Sequence, residues 1–165
     1  MAPAPASAPA FALSAFYSLF FLVIEPISAL LGAYYAHFQP STYLTLTTPL
    51  SPSTGELPLS TQVVLTQLAN LYLLFAINEA LVLRSTSDLR VWKTVLFGLL
   101  IADLGHLYSV KGLGWEIYWK VTQWNSIAWG NVGFVYMGAA MRICFLAGVG
   151  LETERGRRIA AMKGK

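Results

Sequence analysis

Charge is what this 165-residue chain has least of: 12% of its residues are Asp, Glu, Lys or Arg, against 56% hydrophobic, with a mean hydropathy of +0.56. A water-soluble domain carries about 25% charged residues, so the composition points to a membrane protein. Cysteine is equally scarce. Cys144 stands alone in an apolar segment, which excludes an intrachain disulfide and a CxxC metal site, and it reads as a small packing residue. The catalytic signatures GxSxG and HExxH, the P-loop and the Rossmann glycine pattern are all missing. No basic residue precedes the first apolar run, which follows "MAPAPASAPA", so a cleaved signal peptide is not expected. No repeat of 20 to 50 residues is visible.

The chain does have long apolar runs. A spanning helix needs roughly 20 apolar residues, and four stretches qualify, at about 13–37, 61–83, 91–110 and 125–150. The expected fold is an all-α integral membrane four-helix bundle. Residues 1–10 read as a disordered tail, 11–151 as one transmembrane domain and 152–165 as a basic tail. "QPSTYLTLTTPLSPSTGELPLS" reads as a loop because its prolines and hydroxyl residues break helical periodicity. "RSTSDLR" reads as a tight connection in which Ser87 or Asp88 caps the third helix. "KGLGWEIYWKVTQW" reads as an interfacial segment holding a short helix.

The net charge of +3 comes from basic residues clustered at 84–93 and 155–165. They flank apolar runs, so a lipid bilayer is the expected partner and nucleic acid is not. The first loop has no Lys or Arg, the second has Arg84, Arg90 and Lys93, the third has Lys111 and Lys120, and the tail has five. The positive-inside rule then places both termini in the cytoplasm.

Each span nevertheless carries ionisable groups: Glu25, Glu79, Asp103 with His106, and Arg142. Such groups cost roughly 2.5–3.5 kcal/mol at a helix centre on insertion scales, so they should face the bundle interior or a wet cavity. Glu79 and Arg142 fall in the same third of the bilayer and are expected to form a structural ion pair. Glu25 and Asp103 lie at similar depth with no cation expected beside them. A carboxyl in that setting favours its neutral, proton-donating form, as a general acid requires. His106 lies one turn beyond Asp103 on the same face. Pro26 removes a helix hydrogen bond beside Glu25 and opens room there. The alternative is that these groups only hold helices together by interhelical hydrogen bonds.

On the second span Gln67, Asn70 and Asn78 line up as a polar seam, with Asn70 and Asn78 as candidates for contact with a polar ligand group. The aromatic residues, Tyr72 among them, read mainly as an interfacial belt, while Tyr108, Trp129 and Asn131 are expected to line a pocket near His106. His37 and His106 lack a diagnostic ligand spacing, so neither a metal nor another cofactor is expected.

At "FLVIEPISALLGAYYAHF", "DLGHLYSV" and "WGNVGFVYMGAAMRICFLAGVGL" the chain resembles a fungal family of small four-span membrane proteins linked to polyketide and terpenoid pathways. Within that neighbourhood it is similar to the membrane epoxide hydrolases or cyclases of aurovertin- and citreoviridin-type pathways. The resemblance implies that Glu25, Asp103 and His106 form an acid/base set opening an epoxide on a hydrophobic small molecule, in the endoplasmic reticulum membrane. Two looser similarities imply other outcomes. One is to membrane terpene cyclases, which have more spans. The other is to sterol-isomerase and sigma-receptor-like bundles, with no motif match. A non-catalytic sterol- or lipid-binding module is the competing class. A proton-coupled transporter would need a homo-oligomer to make a path.

Overall fold

The computed structural model describes residues 11–48 and 56–153. The expected tail at 1–10 and all but the first two residues of the one at 152–165 lie outside these residues. The described chain is helical apart from one two-residue antiparallel pairing, β1 (Phe11–Ala12) with β2 (Glu152–Thr153), which brings its two ends together. Three helical stretches, α1 (Ala15–Phe38), α3 (Leu59–Ser85) and α4 (Leu89–Leu113), are long and apolar enough to cross a membrane. At 1.5 Å per residue their 24, 27 and 25 residues reach about 36 Å or more, beyond the roughly 30 Å hydrocarbon core. The fourth stretch, α5 (residues 126–146), carries Asn131 and Arg142 among its apolar residues and is not one of these three.

Local chemistry sets the ends of these helices. Ser14 caps α1 by accepting from the Tyr17 amide at 3.4 Å, and Asp88 caps α4 by accepting from the Arg90 amide at 2.7 Å. Asn125 caps α5 through the Ala128 amide at 2.8 Å, while its own amide group donates to the Leu46 carbonyl at 2.7 Å. Leu46 belongs to α2 (Pro40–Thr47), a helix where a loop was expected. Proline at its first position suits a helix start, since the missing N–H is unused there. Buried Tyr43 anchors it, and the Thr47 hydroxyl donates back to the Tyr43 carbonyl at 2.7 Å. The aromatic segment between α4 and α5 forms 3-10 turns at Trp115–Tyr118 and Val121–Gln123, not a regular interfacial helix.

The helices form two pairs, α1 with α3 and α4 with α5, and α2 joins the end of α1 to the start of α5. Trp92 stacking on Phe145, and His106 lying beside the Asn131 backbone, show that α4 and α5 run antiparallel. An aromatic core closes the end of the bundle near β1 and β2. There Phe145, fully buried, meets Tyr17, Phe21 and Trp92 at ring centroid distances of 5.2, 6.2 and 5.6 Å. A smaller cluster of Ala36, Tyr43, Leu65 and Ala69 closes the other end.

Outward faces are apolar, with Phe16 66%, Val64 61%, Leu81 62% and Leu104 58% exposed, whereas Arg142 and Glu79 are among the most buried side chains. This inverts the arrangement of a water-soluble protein. Cys144 is also on the outside, not packed in the core as its apolar neighbourhood suggested.

Replacing Phe145 with Ala removes the ring shared by three aromatic partners. It is expected to cost about 3–5 kcal/mol, read as a lowered unfolding midpoint of the purified protein in detergent.

Candidate functional site

Between the two closed ends lies a cavity of about 650 Å³ with mostly apolar walls, to which all five helices contribute. Its volume is within the usual range for small-molecule sites, about 300–1,000 Å³. The long apolar helices bring polar residues to it along buried stripes. On α4, Trp92, Leu96, Leu99, Asp103, His106 and Val110 recur every three or four residues, so the acid and the imidazole continue the core face. On α3 the stripe is Leu65, Ala69, Tyr72, Ala76, Glu79 and Leu83.

Three helices depart from α geometry beside the site. π segments occupy Phe20–Ile24, Asn78–Val82 and Trp129–Phe134. Such segments add a residue to the turn and shift the phase of everything beyond them. The first lies just before Glu25-Pro26. Pro26 has no N–H to give the Leu22 carbonyl, and the Arg84 guanidinium donates to that carbonyl instead, at 2.9 Å. The second carries Glu79 inward. The third carries Gly130, Asn131 and Gly133 along the cavity wall.

At the base of the cavity Arg142 donates to three carboxyls. Its Nη1 reaches Asp103 Oδ2 at 2.8 Å, and its Nη2 reaches Glu25 Oε1 at 2.6 Å and Glu79 Oε1 at 2.9 Å. The expected Glu79–Arg142 pair is therefore present, but as one part of a larger cluster. The expectation that Glu25 and Asp103 have no cation beside them is overturned. In an antiparallel pair the Cβ bonds of both helices lean toward their own N-termini, so Arg142 on α5 and Asp103 on α4 lean toward each other. Gly138, one turn before Arg142, leaves the space: a Cβ there would lie 2.7 Å from Nη1 and 3.2 Å from Glu25 Oε1. The Phe21 ring sits 5.8 Å from the guanidinium carbon.

Three carboxyls against one guanidinium leave two negative charges to be balanced in a desolvated site. Glu25 and Glu79 also lie within hydrogen-bonding reach of each other, and His106 Nε2 is buried without a hydrogen-bond partner among the described residues. The cluster thus holds its acids in place beside the cavity, while His106 Nε2 stays uncommitted. Among the described residues no group of His, Cys, Asp or Glu has the geometry of a metal site.

Trp129 and Asn131 line the cavity, as do Glu25, Glu79, Asp103, His106 and Arg142. Trp129 packs edge-on against Trp124 at 5.0 Å, over Gly133, where a Cβ would come within 2.8 Å of the Trp129 ring. Asn70, Asn78 and Tyr108 are not in the cavity wall. Asn70 is exposed on the outer surface, because the buried face of α3 follows the alanines and Glu79 instead of the amides. Asn78, half-buried, precedes Glu79 in the π segment. Tyr108 is 69% exposed and carries the Lys111 ammonium 4.6 Å over its ring.

By sequence Tyr72 reads as part of a membrane belt and Tyr43 as a loop residue. Both line the cavity, their hydroxyls 3.1 Å apart. The small residues Ala69 and Ala76 flanking Tyr72 at helical spacing were the signal for a close-packed face.

A family model described as a domain of unknown function, DUF7704, matches residues 10–152. The chain belongs to the DUF7704 family. The match to DUF7704 takes in all five helices, the Arg142 cluster and the whole cavity lining. No curated protein and no solved structure matches the chain.

Gly138→Ala is expected to displace the guanidinium and cost about 1–3 kcal/mol by overpacking. Arg142→Leu strands three carboxyls and should cost on the order of 3–5 kcal/mol. Thermal unfolding in detergent checks both, with Arg142→Leu the more severe.

Proposed function

We propose that this chain is an integral membrane enzyme, independent of cofactors, that opens an epoxide on an apolar polyketide or terpenoid by general acid/base catalysis. The carrying observation is the juxtaposition, in one apolar cavity, of three carboxyls sharing a single guanidinium with an imidazole whose Nε2 has no partner. The inverted surface supports a bilayer setting. In this reading α5 is a fourth span, both termini are cytoplasmic, and the membrane is that of the endoplasmic reticulum.

The excess of carboxyls over cations favours at least one neutral acid in the cluster. Glu25 or Asp103 gives its proton to the epoxide oxygen as the carbon–oxygen bond breaks. His106 Nε2 takes a proton from the attacking nucleophile as the new carbon–oxygen bond forms. Water as nucleophile gives a diol; an internal hydroxyl gives a cyclic ether without net addition of water. Arg142 keeps the cluster ordered and steadies the carboxylate left after proton donation.

A second reading rests on a different feature of the same cluster. Each bond from Arg142 ties α5 to a different helix, which suits a non-catalytic lipid- or sterol-binding module held together by buried polar bonds.

The purified protein, given a polyene-derived epoxide in H₂¹⁸O, should yield a diol carrying one ¹⁸O, or an unlabelled cyclic ether. His106→Gln, and at least one of Glu25→Gln and Asp103→Asn, should lower turnover about 10²–10⁴-fold. Absence of conversion by wild type, or turnover untouched by these three changes, sinks the enzymatic reading and leaves the binding module.

A further inference from the structure

The cavity has a second polar pole. The hydroxyls of Tyr43, on α2, and Tyr72, on α3, lie 3.1 Å apart, and both residues line the cavity. A phenol carries one O–H. When one of the pair donates to the other, the accepting hydroxyl still holds a proton, and neither side chain has another hydrogen-bond partner among the described residues. Tyr43 is 7% exposed, so this remaining donor is largely withdrawn from bulk water. A desolvated donor without an acceptor is costly, and the adjoining space from which an acceptor can come is the cavity.

The dyad is held in place by close packing. The Tyr72 ring lies over Gly32, where a Cβ would come within 3.3 Å of two ring carbons. Tyr72 precedes Glu79 by seven residues on α3, and Gly32 follows Glu25 by seven on α1. Seven residues are two helical turns, so Tyr72 and Glu79 share a face of α3 and Gly32 and Glu25 share a face of α1, their Cα positions about 10 Å apart along each axis. The residues between them on α1, Ser28 and Ala29, are small, which leaves a slot joining the two poles.

We propose that Tyr43 and Tyr72 form a hydrogen-bond-donating subsite for a ligand oxygen. That oxygen is a carbonyl, ester or ether oxygen carried about 10 Å along an apolar chain from the group that meets the carboxyl cluster. The inference deepens the enzymatic reading by naming its substrate class, an elongated apolar molecule with a remote acceptor oxygen. It rests on that reading only in taking the cavity as the ligand site.

Binding tests it without turnover. Protein in lipid nanodiscs is titrated with 10-hydroxydecan-2-one and with 1-decanol, which differ only in the remote ketone; empty discs are subtracted. Wild type should bind the ketone about 3–10-fold more tightly, the range a single net hydrogen bond supplies. The Tyr43→Phe, Tyr72→Phe double variant should erase the preference and leave 1-decanol affinity unchanged, which also shows that the cavity is intact. Gly32→Ala, which presses a methyl on the Tyr72 ring, should reduce it too. Equal affinity for the two probes in wild type, no measurable ketone binding, or a preference that survives the Tyr43→Phe, Tyr72→Phe double variant would overturn the proposal. Epoxide turnover with no ketone preference removes the dyad and keeps the enzyme. Ketone preference with no turnover does the reverse.

Discussion

Arg142 and its three carboxyls are the constraint around which the rest of the molecule is arranged. One guanidinium on α5 holds Glu25 on α1, Glu79 on α3 and Asp103 on α4, so a single side chain links both helix pairs. Burying four ionisable groups is unfavourable unless their geometry and hydrogen bonding are good. The structure meets that condition with local devices: a glycine at 138 to admit the guanidinium, a phenylalanine ring beneath it, and π segments that turn Glu25 and Glu79 inward. Any change that shifts one helix relative to the others must break a charged bond in a low dielectric. The cluster therefore fixes register as well as chemistry.

Stability and vacancy are segregated along the bundle. The aromatic core at one end and the small cluster at the other are packed, while the middle is held apart by the Arg142 network below and the tyrosine pair above. Apolar side chains alone would collapse into such a space. Here the walls are spaced by polar contacts of fixed length, so a cavity persists in a chain of only 165 residues.

Much of this was legible from residue types. Glu25, Asp103 and His106 stand out because charge is rare, and all three reach one cavity. The extents of α1, α3 and α4 follow from hydropathy to within a few residues. What failed was rotation. The amides of α3 suggested a polar face through Asn70, but the buried stripe runs through Ala69, Tyr72 and Ala76, because small residues let helices approach closely. The reach of Arg142 is not legible from Cα depth, because its charge sits at the end of a long side chain that leans along the helix. α2 is not legible because prolines and threonines mask a helix held by tertiary contacts at Tyr43 and Leu46.

The π segments also matter for how the chain is compared and mutated. A single helical wheel does not describe α5, because residues 129–134 break its phase. Positions before that segment and positions after it belong to two wheels offset from each other. A substitution scan along the helix should therefore follow a single helical period only from Val135 onward. Relatives that lack the extra residue would need a one-residue gap there, not elsewhere, to keep Arg142 aligned with its acids.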